Sequence, residues 1–169
     1  MTTFNGLPAH ILLVHAIVVL LPLSALLLVL TAVWPAARHR LAGPNAVLAV
    51  LVVLLVPLTT DAGEWLERRV PSGELVRAHA ELGDTAILYA VPIALLALVV
   101  WWRGREARAA AGRRTYLAPL SSAVTNVVAV LALVAGAAGV YGMYRIGDSG
   151  AKAAWTGNFS SQDNGRGHN

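Results

Sequence analysis

Residues 10–34 of the chain read HILLVHAIVVLLPLSALLLVLTAVW, and this stretch decides the fold. It contains no Asp, Glu, Lys or Arg, and an apolar run of about 20 residues is long enough to cross the hydrocarbon core of a bilayer as a helix. The run is too long for the apolar core of a signal peptide, so we expect it to remain as a first membrane helix. His10 and His15 lie at its beginning, and an ionisable residue inside a membrane span indicates function by default.

Three further apolar segments follow, which predicts spans at about residues 7–34, 44–64, 84–102 and 117–144. Hydrophobic residues make up 57% of the 169 positions and charged residues 13%, whereas a soluble domain carries about 25% charged residues. The sequence therefore predicts an all-α membrane protein, a four-transmembrane-helix antiparallel bundle within residues 1–150. The polar, glycine-rich residues 151–169 are expected to form a disordered tail.

Arginine distribution predicts the orientation of this bundle. The first loop holds Arg38 and Arg40, and the third holds five arginines, whereas the second loop, around residues 61–84, is mainly acidic. Positively charged loops stay in the cytoplasm, so both termini are expected to be extracytoplasmic. In the second loop, Ser72 and Glu74 predict a helix start that leads towards the third span.

Composition also limits the function. The chain has no cysteine, which excludes disulfides, iron–sulfur clusters and covalently attached c-type haem. The formal charge of +4 comes largely from residues in short loops. The chain lacks a patch of basic and aromatic residues, so no nucleic-acid partner is expected. Hydrolase, P-loop and Rossmann signatures are absent, so no catalytic residue is assigned. Because only one of the 13 basic residues is lysine, we expect a GC-rich bacterial genome and a multi-pass protein of the bacterial plasma membrane.

Antiparallel spans bring most candidate polar residues to the outer end of the bundle. His10, His15 and His79 form the pool of cofactor or metal ligands, and His15 is expected to lie deepest. The structural alternatives are an imidazole bonded to a helix carbonyl for His15 and solvated rings for His10 and His79. His39 and His168 lie in the arginine-rich loop and in the tail, where we expect both to be solvated.

Three carboxylates at this end are candidates to hold a histidine N–H in place, as metal and haem ligands usually require. These carboxylates belong to Asp61, Glu64 and Asp148. Alternatively, Asp61 and Glu64 form an ion-paired helix end with Arg68, and Asp148 caps a turn in the sequence Gly-Asp-Ser-Gly. Small residues spaced along the fourth span at Gly136, Gly139 and Gly142 predict close helix packing, although a flat macrocycle would also fit against them.

Two functions from different classes remain open. The first is an electron-transfer protein that binds haem b, which needs two axial imidazoles, or copper or zinc, which can use three histidines and a carboxylate. The second is a non-catalytic accessory subunit of a larger membrane complex, as a homo- or hetero-oligomer. A proton pathway is disfavoured because the inner half of the predicted spans lacks ionisable groups.

The chain resembles the bacterial integral membrane family catalogued as domain of unknown function 2231 (DUF2231). The resemblance rests on Asn5-Gly-Leu-Pro-Ala-His10 with Val14-His15, on Asp61-Ala-Gly-Glu64, on His79 with Glu81-Leu-Gly83, and on Gly147-Asp-Ser-Gly-Ala151. It implies a four-helix membrane domain of no settled activity. Some relatives carry Rieske or cytochrome c domains, which implies redox chemistry and respiratory or other redox membrane proteins as partners. Where this chain has Asp148, relatives often have histidine, so the resemblance implies no fourth histidine ligand here.

Overall fold

The computed structural model describes residues 3–4, 6–109 and 115–157 of the chain. A two-stranded antiparallel hairpin, β1 (Thr3–Phe4) and β2 (Leu7–Pro8), turns at Gly6, whose φ of 81° suits glycine. Five helices follow: α1 (Ala9–Val33), α2 (Pro35–Glu67), α3 (Glu74–Asp84), α4 (Ala86–Ala109) and α5 (Ser122–Trp155).

The long helices form an antiparallel bundle in which α1, α2, α4 and α5 each pack against two neighbours in that ring order. Four helical segments are long and apolar enough to cross a membrane, and the third of them combines α3 and α4 as Glu74–Ala109. The four-helix membrane bundle predicted from the sequence is therefore confirmed. The short helix α3 begins at Glu74, as Ser72 and Glu74 predict, and it packs against α5 and α2.

The connection between α1 and α2 differs from the sequence prediction. Instead of a loop around Arg38–Arg40, Trp34 alone separates the two helices, and α2 starts at Pro35, a residue favoured in the first turn. Arg38 makes this tight reversal possible because its Nε donates to the Thr31 carbonyl at 2.8 Å and its guanidinium also reaches the Ala32 carbonyl. It thereby satisfies carbonyls that the end of α1 leaves unpaired.

Helix α5 is shifted towards the C-terminus relative to the predicted span. It begins at Ser122, where the Ser121 side chain accepts from the Val124 N–H, and it continues to Trp155. It therefore includes the Gly147–Gly150 segment, for which the sequence favours a turn. An ion pair between Asp148 and Lys152 at 2.7 Å, one helical turn apart, and the packing of α3 against this part of α5 support the longer helix.

Gly136, Gly139 and Gly142 of α5 face the bundle interior and contact side chains of α1 and α4. A Cβ built at Gly139 would lie 2.7 Å from Ile93 Cδ1, and one at Gly136 would lie 3.2 Å from Val29 Cγ2. Gly142 lies directly against the Tyr89 ring. Because these side chains fill the space beside the glycines, this face of α5 packs helices and offers no open surface for a macrocycle.

Candidate functional site

Two of the three candidate histidines meet at one end of the bundle. His10 lies in the first turn of α1, and His79 lies in the middle of α3. Their ring centroids are 6.4 Å apart, and their planes are inclined at 73°. Both rings are half-buried. Since α3 is a separate short helix that packs against α5, it places His79 over the bundle end at which α1 begins.

A carbonyl of a third helix fixes the His10 ring. The His10 Nδ1 atom lies 3.0 Å from the main-chain oxygen of Thr59, a buried residue of α2. A carbonyl oxygen only accepts hydrogen bonds, so Nδ1 carries the proton and donates it. In the neutral ring the other nitrogen, Nε2, then keeps its lone pair, which is the form in which histidine binds metals.

A hydroxyl group fixes the His79 ring in the same way. The His79 Nδ1 atom lies 3.0 Å from Ser149 Oγ, while that hydroxyl donates its own proton to the Ile146 carbonyl at 2.8 Å. With its proton directed to Ile146, Ser149 accepts from His79 Nδ1. The Nε2 atom of His79 is therefore also a lone-pair donor in the neutral ring.

Each imidazole lies against a glycine of a neighbouring helix. A Cβ built at Gly63 of α2 would lie 3.0 Å from both Cε1 and Nδ1 of His10. One built at Gly150 of α5 would lie 2.9 Å from Cε1 of His79. A side chain at either position would displace the ring, so the two glycines create the space in which the histidines approach each other.

The three candidate carboxylates do not hold the ring N–H groups in the described part of the chain. Glu64 forms an exposed ion pair with Arg68 at 3.6 Å, Asp148 pairs with Lys152, and Asp61 is exposed.

The third candidate, His15, is not part of the pair. Its side chain faces away from the bundle, and its Nδ1 atom lies 2.6 Å from the Ile11 carbonyl of the same helix. The five-residue spacing explains this, because it turns the side chain by about 140° relative to His10. Within the described ranges, no group of three or more His, Asp or Glu side chains is arranged to hold a metal ion. His39 lies at the opposite end in α2, and His168 lies outside the described residues.

Sequence reasoning missed the groups that orient the two rings. Thr59 acts through its main chain, which no sequence motif reports, and Ser149 lies beside the expected Asp148. The sequence carries a signal for Ser149 and Gly150, since both belong to the Gly-Asp-Ser-Gly segment that is typical of a turn. Helical geometry turns that segment towards α3 instead.

Fold and site together define a class: a small four-span α-helical membrane protein with a pair of histidines at one end of the bundle. The family model described as predicted membrane protein (DUF2231) matches residues 6–163, and the chain belongs to this family. No curated protein and no solved structure matches the chain.

Proposed function

We propose that this protein binds one transition-metal ion, with copper favoured, between His10 and His79. The bound ion would transfer electrons at the extracytoplasmic face of the membrane. One observation carries the proposal: two rings 6.4 Å apart, each with its Nδ1 proton donated to an acceptor of another helix. Ligating histidines usually have this arrangement, in which the second nitrogen is held by a carbonyl, carboxylate or water.

The separation of the rings suits two ligands of one ion. A metal bound to imidazole nitrogen at about 2.0–2.1 Å lies roughly 3.2 Å from the ring centre, so two imidazoles on opposite sides of one ion have centroids about 6.4 Å apart. The observed centroid distance is 6.4 Å. The centroid distance is therefore compatible with two imidazoles that share one ion.

The number of ligands favours copper over the other cofactors considered. Structural zinc usually has four protein ligands, and the described residues supply no third histidine or carboxylate beside the pair. Haem b, which the sequence favours, could use the two imidazoles axially, but side chains fill the glycine face of α5 that would have received the macrocycle. Imidazole suits copper, which also supplies one-electron chemistry when bound.

The test is a metal and haem titration of the full-length protein purified in detergent and stripped with a chelator. We expect about one copper ion per chain, and we expect His10→Ala and His79→Ala each to abolish binding. The matched controls His15→Ala and His39→Ala change histidines that lie away from the pair, so they should bind copper as the wild type does. Elemental analysis and the absorption spectrum distinguish copper and zinc from haem.

The Ser149→Ala variant tests the orienting role separately. It removes the acceptor for His79 Nδ1 without removing a ligand, and loss of such a partner typically lowers metal affinity about 10–100-fold. Restoration by Ser149→Thr would link the effect to the hydroxyl. Wild-type protein that binds neither metal nor haem would exclude the proposal, and the accessory-subunit function would then take its place.

A further inference from the structure

A cleft at the end of the bundle opposite the histidine pair is lined by basic side chains. It opens to solvent between α2, α4 and the segment that precedes α5, and the empty space within it, open solvent included, is about 390 Å³. None of the described residues that line it is acidic. Its principal lining residues are Arg38, His39, Arg103, Gly104, Arg108 and Pro119.

Two of the arginines are held in place by main-chain and hydroxyl oxygens. Arg38 is fixed by its bonds to the end of α1. Arg103 is 6% exposed, and its guanidinium donates to Thr125 Oγ1 at 2.8 Å and to the Leu117 carbonyl. Both side chains line the same cleft, where they place two like charges. They are therefore fixed charges whose mutual repulsion an anion would relieve.

Glu106 lies between Arg103 and Arg108 in the sequence of α4, but its oxygens are engaged elsewhere. It is buried, and it accepts from Trp102 Nε1 at 2.9 Å and from the main-chain N–H groups of Tyr116 and Leu117 at 2.9 and 3.0 Å. Within the described part of the chain, none of the cleft arginines forms an ion pair. Three arginines therefore line the cleft, no described carboxylate is paired with them, and the cleft keeps a net positive charge.

The floor of the cleft is a glycine that leaves room for a ligand. A Cβ at Gly104 would lie 3.9 Å from Arg108 Nη1 and 3.9 Å from Arg38 Cγ, so this position lies between the two arginines. Arg108 is exposed and has no hydrogen-bond or ion-pair partner among the described residues. Trp102, which is 45% exposed, precedes the floor by less than one helical turn. Tryptophans at helix ends mark headgroup depth.

We propose that this basic cleft binds a phosphate group, supplied by an anionic lipid headgroup or by free phosphate. Guanidinium groups match the oxygens of phosphate in pairs, and basic pockets between membrane helices recognise anionic headgroups. The proposal uses residues at the opposite end from the histidines, so it does not depend on metal binding.

The experiment measures the melting midpoint and native mass spectrum of the full-length protein in neutral detergent. One arm adds phosphatidylglycerol, with phosphatidylcholine of the same acyl chains as its control. The other arm adds inorganic phosphate, with chloride at matched ionic strength. Both arms use the wild type, Arg108→Gln and Arg105→Gln. Arg105 is the matched control because it carries the same charge on the same helix but lies over the Trp101 ring, 5.3 Å from its centroid.

For a lipid ligand, phosphatidylglycerol should remain bound and raise the melting midpoint, and Arg108→Gln should weaken its binding at least about five-fold. Arg105→Gln should weaken it much less. If the ligand is free phosphate, inorganic phosphate alone should raise the melting midpoint, and Arg108→Gln should weaken its binding more than Arg105→Gln does. Gly104→Val should weaken binding without a change of charge. Equal effects of the two lipids and of the two salts, or equal losses in the two arginine variants, would overturn the proposal.

Discussion

His10 and His79 show how single residues acquire a chemical role from groups on other helices. The Thr59 carbonyl and the Ser149 hydroxyl each accept a hydrogen bond from the Nδ1–H of one ring, which leaves the Nε2 lone pairs for a metal ion. Protons compete with metal for the same nitrogens, and two imidazolium rings 6.4 Å apart would repel each other. The proposed copper affinity should accordingly fall as the pH drops below the usual histidine range.

A residue-scale prediction uses two glycines of one helix. In Gly150→Ala the new Cβ would lie 2.9 Å from His79 Cε1, so we expect displacement of the ring and a loss of copper affinity. In the control, Gly147→Ala, the new Cβ has no atom within 4 Å, and we expect unchanged affinity with roughly 0.5–1 kcal/mol of added stability from the helix interior. Copper titration and thermal melting of both variants measure this. Equal copper affinities would show that the ring position is unimportant.

Part of the site could be predicted at this scale. The antiparallel spans place His10 and His79 at one end of the bundle, and the turn of about 140° between His10 and His15 already implies that both cannot face one partner. Which of the two faces inwards depends on the rotation of α1 about its axis. Packing against α2 and α5 sets that rotation, and α1 is too uniformly apolar for its sequence to indicate a buried face.

At the scale of the helix, the arginine-rich segments have structural roles that the number of arginines in each loop does not predict. Arginines near helix ends report orientation, and they are usually treated as solvated. Here Arg38 bonds to the end of α1, while Arg103 and Glu106 are buried and hold the segment before α5. These roles depend on tertiary contacts. The apolar length of each span was predictable, but the ends of α2 and α5 were not.

An element-scale prediction concerns the glycine face of α5. Gly139→Leu would place atoms where Ile93 Cδ1 and Leu21 Cδ2 lie, and overpacking typically costs about 1–3 kcal/mol. We therefore expect a clear drop in the melting midpoint in detergent. Ala137→Leu adds a similar side chain to the exposed side of the same helix and should leave the midpoint nearly unchanged. The packing assignment is contradicted if the two variants melt alike.

At the scale of the whole molecule, the two ends of the bundle differ in chemistry. The histidine pair and the exposed Glu64–Arg68 pair occupy one end, and the arginine cleft occupies the other. From the distribution of arginines, we expect the cleft end to face the cytoplasm. A metal bound at the histidine end would then exchange electrons with partners outside the cytoplasm.

Cysteine labelling measures this orientation directly, because the chain has no native cysteine. Ser72→Cys and Arg105→Cys replace exposed residues at the two ends. In intact cells, an impermeant thiol reagent should label position 72 and not position 105. Both should react once the membrane is permeabilised. The reverse pattern in intact cells would invert the topology and place the histidine pair inside.

The single-residue connection at Trp34 bears on the order in which the protein folds. The entropy lost on closing a loop is smallest for short connections, and a one-residue link leaves the ends of α1 and α2 already in contact. Their packing should therefore be complete while the ribosome is still synthesising α4. The Thr59 carbonyl would then lie beside His10 before His79 has been synthesised. The pair of helices α1 and α2 would thus form half of the histidine site on its own.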